Sequence, residues 1–176
     1  DRHVPSPNAL ARAGDLIKTK KRPLIIAGGG VHYSLAVEEL RHFAEAFQIP
    51  VGFTQAGKGA MVWDHPLNMG GVGTTGTQAA NLLAKEADLI IAVGTRLQDF
   101  STASKTAFQN TDVEFVSINV GRLDGLKMNS LFVQADAKLG LTELTRILKD
   151  SGYKSSYGQE ELRQLKQVWN DEVDRL

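Results

Sequence analysis

The sequence has no cysteine, which removes disulfides, thiolate nucleophiles and cysteine-ligated metals from these 176 residues. It also lacks charge of one sign, since twenty Lys and Arg balance twenty Asp and Glu. That balance offers no basic surface for nucleic acid or for an anionic membrane, and neither partner is expected. Apolar runs such as Leu89-Ile90-Ile91-Ala92-Val93 fall far short of the roughly 20 residues that a membrane-crossing helix needs. No signal-peptide pattern is visible, so the expected location is the cytoplasm. Catalytic signatures are missing as well. The four histidines (His3, His32, His42, His65) show no HExxH spacing, and no GxSxG elbow is present. His42 and His65 read as structural residues, and the pairs Glu38-Glu39 and Glu160-Glu161 read as solvated helix faces. Asp99, Asp124 and Asp136 stand at predicted strand ends, too scattered for a catalytic pair. On its residues alone the chain is a ligand-binding or scaffolding domain.

What is present centres on Gly70 to Arg96, GGVGTTGTQAANLLAKEADLIIAVGTR. A glycine-threonine loop leads into a predicted helix with Thr77 placed to cap it. The continuous apolar run Leu89–Val93 reads as a strand covered on both faces. Gly94-Thr95-Arg96 follows at the strand's carboxyl end, where open α/β sheets place ligands. Two glycine-rich turns around one αβ unit point to a nucleotide-like or phosphate-bearing partner, although such turns also serve structure alone.

Upstream, Ser6-Pro7 opens a predicted helix to about Thr19, and the basic run Lys18 to Arg22 reads as its solvated end. The strand Leu24–Ala27 ends in Gly28-Gly29-Gly30, either a ligand contact or a tight turn; it is not a GxGxxG fingerprint. A second strand follows around Val51, then a long loop from Thr54 to His65, in which Lys58 reads as a surface lysine and Trp63 as a packing residue. The polar stretch Gln98 to Asn110 reads as a solvated surface helix. Strands are predicted over Glu114–Val120 and Leu131–Gln134, and Asp136 opens a further helix. With a short strand around Met69, these make an α/β fold: a Rossmann-like, doubly wound, six-stranded parallel sheet of the NAD/FAD-binding type. Residues 1–150 form the domain. Residues 151–176 read as a polar linker and an amphipathic helix with Leu162, Leu165, Trp169, Val173 and Leu176 on one side, expected to dock on a neighbouring domain or subunit. Packing back on its own domain is the alternative.

The succession RPLIIAGGG, IPVGFTQAGKGA, HPLNMGGVGTTGT, ADLIIAVGTR and the INV and ADAK strand ends resembles the central domain of thiamine-diphosphate-dependent enzymes, of which acetolactate synthases and related decarboxylases are members. GTRLQDFSTASKTAFQN followed by SINVGRLDGLK is similar to the branch that hydrolytically opens a cyclic trihydroxycyclohexanedione in inositol catabolism, cleaving a carbon–carbon bond. A malonic semialdehyde decarboxylase and an acetolactate-synthase-like lyase are the alternatives within the family; a stand-alone nucleotide-binding module is the alternative outside it. The resemblance implies that thiamine diphosphate and Mg2+ are held by other domains, and the metal motif GDG is absent from this sequence. The chain, which opens at Asp1, is therefore expected to be a middle domain without catalytic residues of its own, inactive alone. The complete protein is expected to be a homodimer or homotetramer acting on a small cyclic dione. Some members hold FAD in this domain. Carried over, its phosphate contacts fall on Gly76, Thr77, Gly94 and Arg96, with Thr75 beside them in the cofactor-binding set, Gly28 and Gly29 close by, and its adenosine end on Asn119 and Asp136. Thr75 replaces the histidine of the flavin binders' HGT, and Asn119 replaces an acidic residue that would accept ribose hydrogen bonds with full charge. Asp136 is equally well read as a helix cap. These departures weigh against FAD and leave a vestigial or phosphate-occupied cleft as the expectation.

Overall fold

The computed structural model describes residues 1–175. Strands β1 (Pro23–Ala27), β2 (Val51–Phe53), β3 (Asn68–Gly71), β4 (Leu89–Val93), β5 (Glu114–Asn119) and β6 (Leu131–Gln134) form one parallel sheet in the order β3-β2-β1-β4-β5-β6. The order reverses between β1 and β4, which pair from Pro23↔Leu89 to Ala27↔Val93. Both strands are buried along their whole length because helices cover both sheet faces.

On one face lie α1 (Pro7–Lys18), α3 (Val37–Phe47) and α7 (Ala137–Lys149), whose apolar sides pack on Ile25, Ile91, Val116 and Val133. Phe43 and Phe47 meet edge to face at 5.0 Å there; burying each such side chain contributes roughly 1.5–3 kcal/mol. On the other face α4 (Gln78–Glu86) and α8 (Gln159–Arg175) pack on Leu24, Ile26 and Ile90. Short helices α2 (Gly30–Tyr33), α5 (Asp99–Thr102) and α6 (Arg122–Gly125) follow β1, β4 and β5 at their carboxyl ends.

Three local expectations change. Trp63 is exposed rather than packed, and α8 holds its loop through main chain: Lys166 Nζ donates to the Trp63 and His65 carbonyls at 2.8 and 2.9 Å. Only Asp99–Thr102 of the polar stretch is helical, and Ser101 and Thr102 are buried with their hydroxyls donating to the Gln98 carbonyl. The polar segment 151–158 is fastened: Ser155 N–H donates to the Phe47 carbonyl and Ser156 N–H to that of Lys21. The first half of α8 packs on its own domain, with Leu162 buried, Arg22 bound to Glu161 at 2.6 Å, and the Arg22 guanidinium 4.3 Å above the Tyr157 ring. Leu176, assigned from sequence to the apolar side of this helix, lies outside the described residues.

Candidate functional site: the switch-point crevice

The reversal of strand order opens a crevice at the carboxyl ends of β1 and β4, the place where doubly wound sheets bind ligands. Its walls are the two glycine turns, and they touch backbone to backbone. The Gly28 and Gly30 N–H groups donate to the carbonyls of Val93 and Gly94 at 2.8 and 2.9 Å. Gly94 sits at φ +58°, and a Cβ there would lie 2.6 Å from the Gly30 Cα. The glycines are thus required by this close approach, whatever the crevice holds. The remaining space is about 280 Å³, lined by Gly29, Tyr33, Thr54, Arg96, Gln98 and Ser101 among others. Arg96 is exposed at the rim.

Of the residues assigned from sequence, Gly29, Gly94 and Arg96 therefore meet in one crevice, with Gly28 packed behind Gly29. The threonine loop lies one step away. Thr75 is exposed. Gly76 packs on the Gly71 carbonyl, where a Cβ would come to 2.5 Å. The Thr77 hydroxyl accepts from the Ala80 N–H at 3.1 Å as the cap of α4 and donates to the Met69 carbonyl at 2.5 Å, so it is fully engaged. The loop abuts the crevice wall through the Thr74 N–H, which donates to the Phe100 carbonyl at 3.0 Å. Asn81, which sequence reasoning missed, folds this loop: its amide accepts from the Gly73 N–H at 2.9 Å and donates to the Gly73 carbonyl at 3.0 Å. An asparagine in the first turn after a glycine-rich loop was the available signal.

Asn119 and Asp136 are committed to the fold. The Asn119 amide donates to the Thr95 carbonyl and accepts from the Gly121 N–H, both at 2.9 Å, bridging the loops after β4 and β5. Asp136 is buried, caps α7 through the Lys138 and Leu139 N–H groups, and pairs with Arg2 at 2.8 Å. Burial pushes its carboxyl up, but hydrogen bonds from Arg2, Ser34 and the Leu139 amide outweigh that and hold it below the usual carboxylate range.

Residues 10–144 match the family described as "Thiamine pyrophosphate enzyme, central domain". The chain belongs to that family. Curated relatives match it along its whole length. It is 51% identical over 176 residues to the 3D-(3,5/4)-trihydroxycyclohexane-1,2-dione hydrolase of Clostridium tetani. It is 50% identical over 176 residues to the hydrolases of that name in Bacillus anthracis and Bacillus thuringiensis. The chain spans 27% of the length of each of these relatives.

Among the described residues no group of three or more His, Asp or Glu converges as a metal site. Several residues assigned to FAD are engaged with the chain itself. The crevice lined by Gly29, Gly94 and Arg96 holds about 280 Å³ and opens to solvent. Asn119 and Asp136, at the adenosine end, each accept hydrogen bonds from the chain itself. No helix among the described residues is long and apolar enough to cross a membrane.

Proposed function

We propose that this chain is the scaffold domain of a thiamine-diphosphate-dependent enzyme that hydrolytically opens 3D-trihydroxycyclohexane-1,2-dione by carbon–carbon cleavage. The observation that carries the reading is the 50–51% identity along the entire chain to relatives named for that hydrolysis. Residues 1–150 are the central domain, and 151–176 a strap and helix leading towards a further domain. Thiamine diphosphate and Mg2+ belong to other parts of the polypeptide. The complete enzyme is cytoplasmic, a homodimer or homotetramer, and takes a small cyclic dione as substrate.

The role left to this domain is positional. Two glycine turns in backbone contact, a capped α4 and a bridged pair of loops make a sheet end against which other domains can be held. A dinucleotide is not part of that role, since Asn119 and Asp136 hold the fold together. The reading is tested by supplying the cyclic dione to the longer polypeptide and to residues 1–176, each with and without thiamine diphosphate and Mg2+. Ring opening by the longer polypeptide alone, and only with both additions, supports it. Ring opening by residues 1–176 would overturn the scaffold assignment, and an inert longer polypeptide the substrate assignment.

A further inference from the structure

We infer that His65 is a pH-sensitive latch: its protonation opens the turn into β3 and loosens the loop to which α8 is fastened. The ring lies between α3 and the segment before β3, and its two nitrogens have different partners. Nδ1 faces the Leu67 N–H at 3.1 Å, and Nε2 faces Glu45 Oε1 at 3.0 Å. A backbone N–H can only donate, so Nδ1 accepts, and the neutral ring carries its proton on Nε2, which donates to Glu45. A second proton must therefore go to Nδ1. There it replaces the acceptor with a donor, and the Leu67 N–H loses its partner. The bond to Glu45 meanwhile becomes an ion pair. One proton thus tightens the hold on α3 and releases the turn.

Release of the turn reaches beyond Leu67. The His65 carbonyl accepts from the Asn68 N–H and from Lys166 Nζ, both at 2.9 Å, and the Leu67 carbonyl accepts from the Val51 N–H of β2 at 2.8 Å. The turn therefore holds α8 through Lys166 and leads into the edge strand β3. The charges around the ring come from the helices beside it and from its own loop. Glu45 lies on α3 with Arg41 bound to it at 3.2 Å, and His42 stands beside Arg41. Lys166 and Arg163 of α8, Asp64 and Tyr157 line the same cavity of about 610 Å³ as His65, and Arg163 is paired with Glu160 at 2.6 Å. Lys149 of α7 shares a neighbouring cavity with His42 and Glu45. The hydrogen bond from His65 outweighs burial and, with Arg41, holds the Glu45 carboxyl below its usual range. Glu45 is therefore ionised throughout the range in which histidine takes up a proton, and at this contact the ring is the group that changes. The His65 side chain is 14% exposed, so protons reach it from water.

The test measures hydrogen exchange of the longer polypeptide at about pH 5.5 and about pH 8, towards the two ends of the histidine range. Each rate is divided by that of an unstructured chain at the same pH. Residues 62–68 are expected to exchange roughly 2–10-fold faster at the lower pH, the worth of one hydrogen bond, while β1 and β4 stay unchanged. His65→Asn keeps an acceptor for the Leu67 N–H and cannot titrate, so its loop is expected to exchange slowly at both values. His65→Gln puts its amide towards Glu45, leaves Leu67 without the ring acceptor, and is expected to exchange fast at both. In each variant β1 and β4 report that the fold is intact, and each is read without the other. Equal normalised exchange of the parent loop at the two values would overturn the inference. So would a rise on acidification in either variant as large as the parent's, because another group would then be the sensor.

Discussion

Gly94 and Gly30 touch through bare backbone: a Cβ on Gly94 would stand 2.6 Å from the Gly30 Cα, and Gly94 itself sits at φ +58°. The obstacle is main chain, so no rotamer change relieves it. Gly94→Ala is expected to cost about 1–3 kcal/mol from the backbone conformation alone, with the collision adding to that. Arg96→Ala, two residues on at the exposed rim, is expected to stay within about 0.5 kcal/mol of the parent. Chemical denaturation of both variants checks this, and equal stabilities would show that the turn relaxes freely.

Asp136 gives the domain an acid-sensitive joint. Its carboxyl is held below the usual range, chiefly against burial, by Arg2 and Ser34. The stability it contributes is complete above the unfolded carboxylate value of about 3.9 and is lost as pH falls through the lower folded value. Asp136→Ala removes a helix cap and is expected to cost about 0.5–2 kcal/mol at neutral pH. The difference from the parent should be flat between about pH 5 and 8 and shrink below about pH 4. A difference that grows on acidification would contradict the assignment.

Asn119 donates through its amide nitrogen to the Thr95 carbonyl. Asn119→Asp replaces that donor with an oxygen facing another oxygen, and the expected loss is about 1–3 kcal/mol. The same change restores the acidic residue of flavin-binding relatives. The variant is nevertheless expected to bind no FAD, because the crevice and Asp136 are unchanged. Fluorescence titration with FAD measures this, and a variant that purifies yellow would refute it.

Lys166 pins α8 to the loop before β3 through two carbonyls, and burial pulls its ammonium below the usual lysine value. Lys166→Met keeps most of the apolar stem and removes both donors, at an expected cost of about 1–3 kcal/mol. Hydrogen exchange at residues 62–66 should accelerate while that of β1 and β4 stays unchanged. Unaltered exchange at 62–66 would mean the helix is held by Leu162 and Arg22 alone.

The sheet was legible because buried parallel strands read as short apolar runs, and β1 and β4 are that pattern from end to end. The glycine turns marked the switch point correctly for the same reason: close backbone approach leaves glycine in the sequence. Engagement of polar side chains was not legible. Asn119 reads the same whether it faces a ribose or the Thr95 carbonyl, and Arg2 and Asp136 are 134 residues apart. Ser101 and Thr102 looked solvated because nothing local announces that the threonine loop, through Gly73 and Thr74, lies against their segment. Trp63 looked like a packing residue because size favours burial, whereas its loop is held by main-chain contacts to Lys166.

The most direct measurement combines the cyclic dione, thiamine diphosphate and Mg2+ with the longer polypeptide while its visible spectrum is recorded. Hydrolytic ring opening with no flavin band is the expected result. An intact dione, carbon dioxide released from pyruvate and a flavin band would contradict the proposed substrate and the flavin-free crevice, placing the protein with the acetolactate synthases and making Arg96 a cofactor contact.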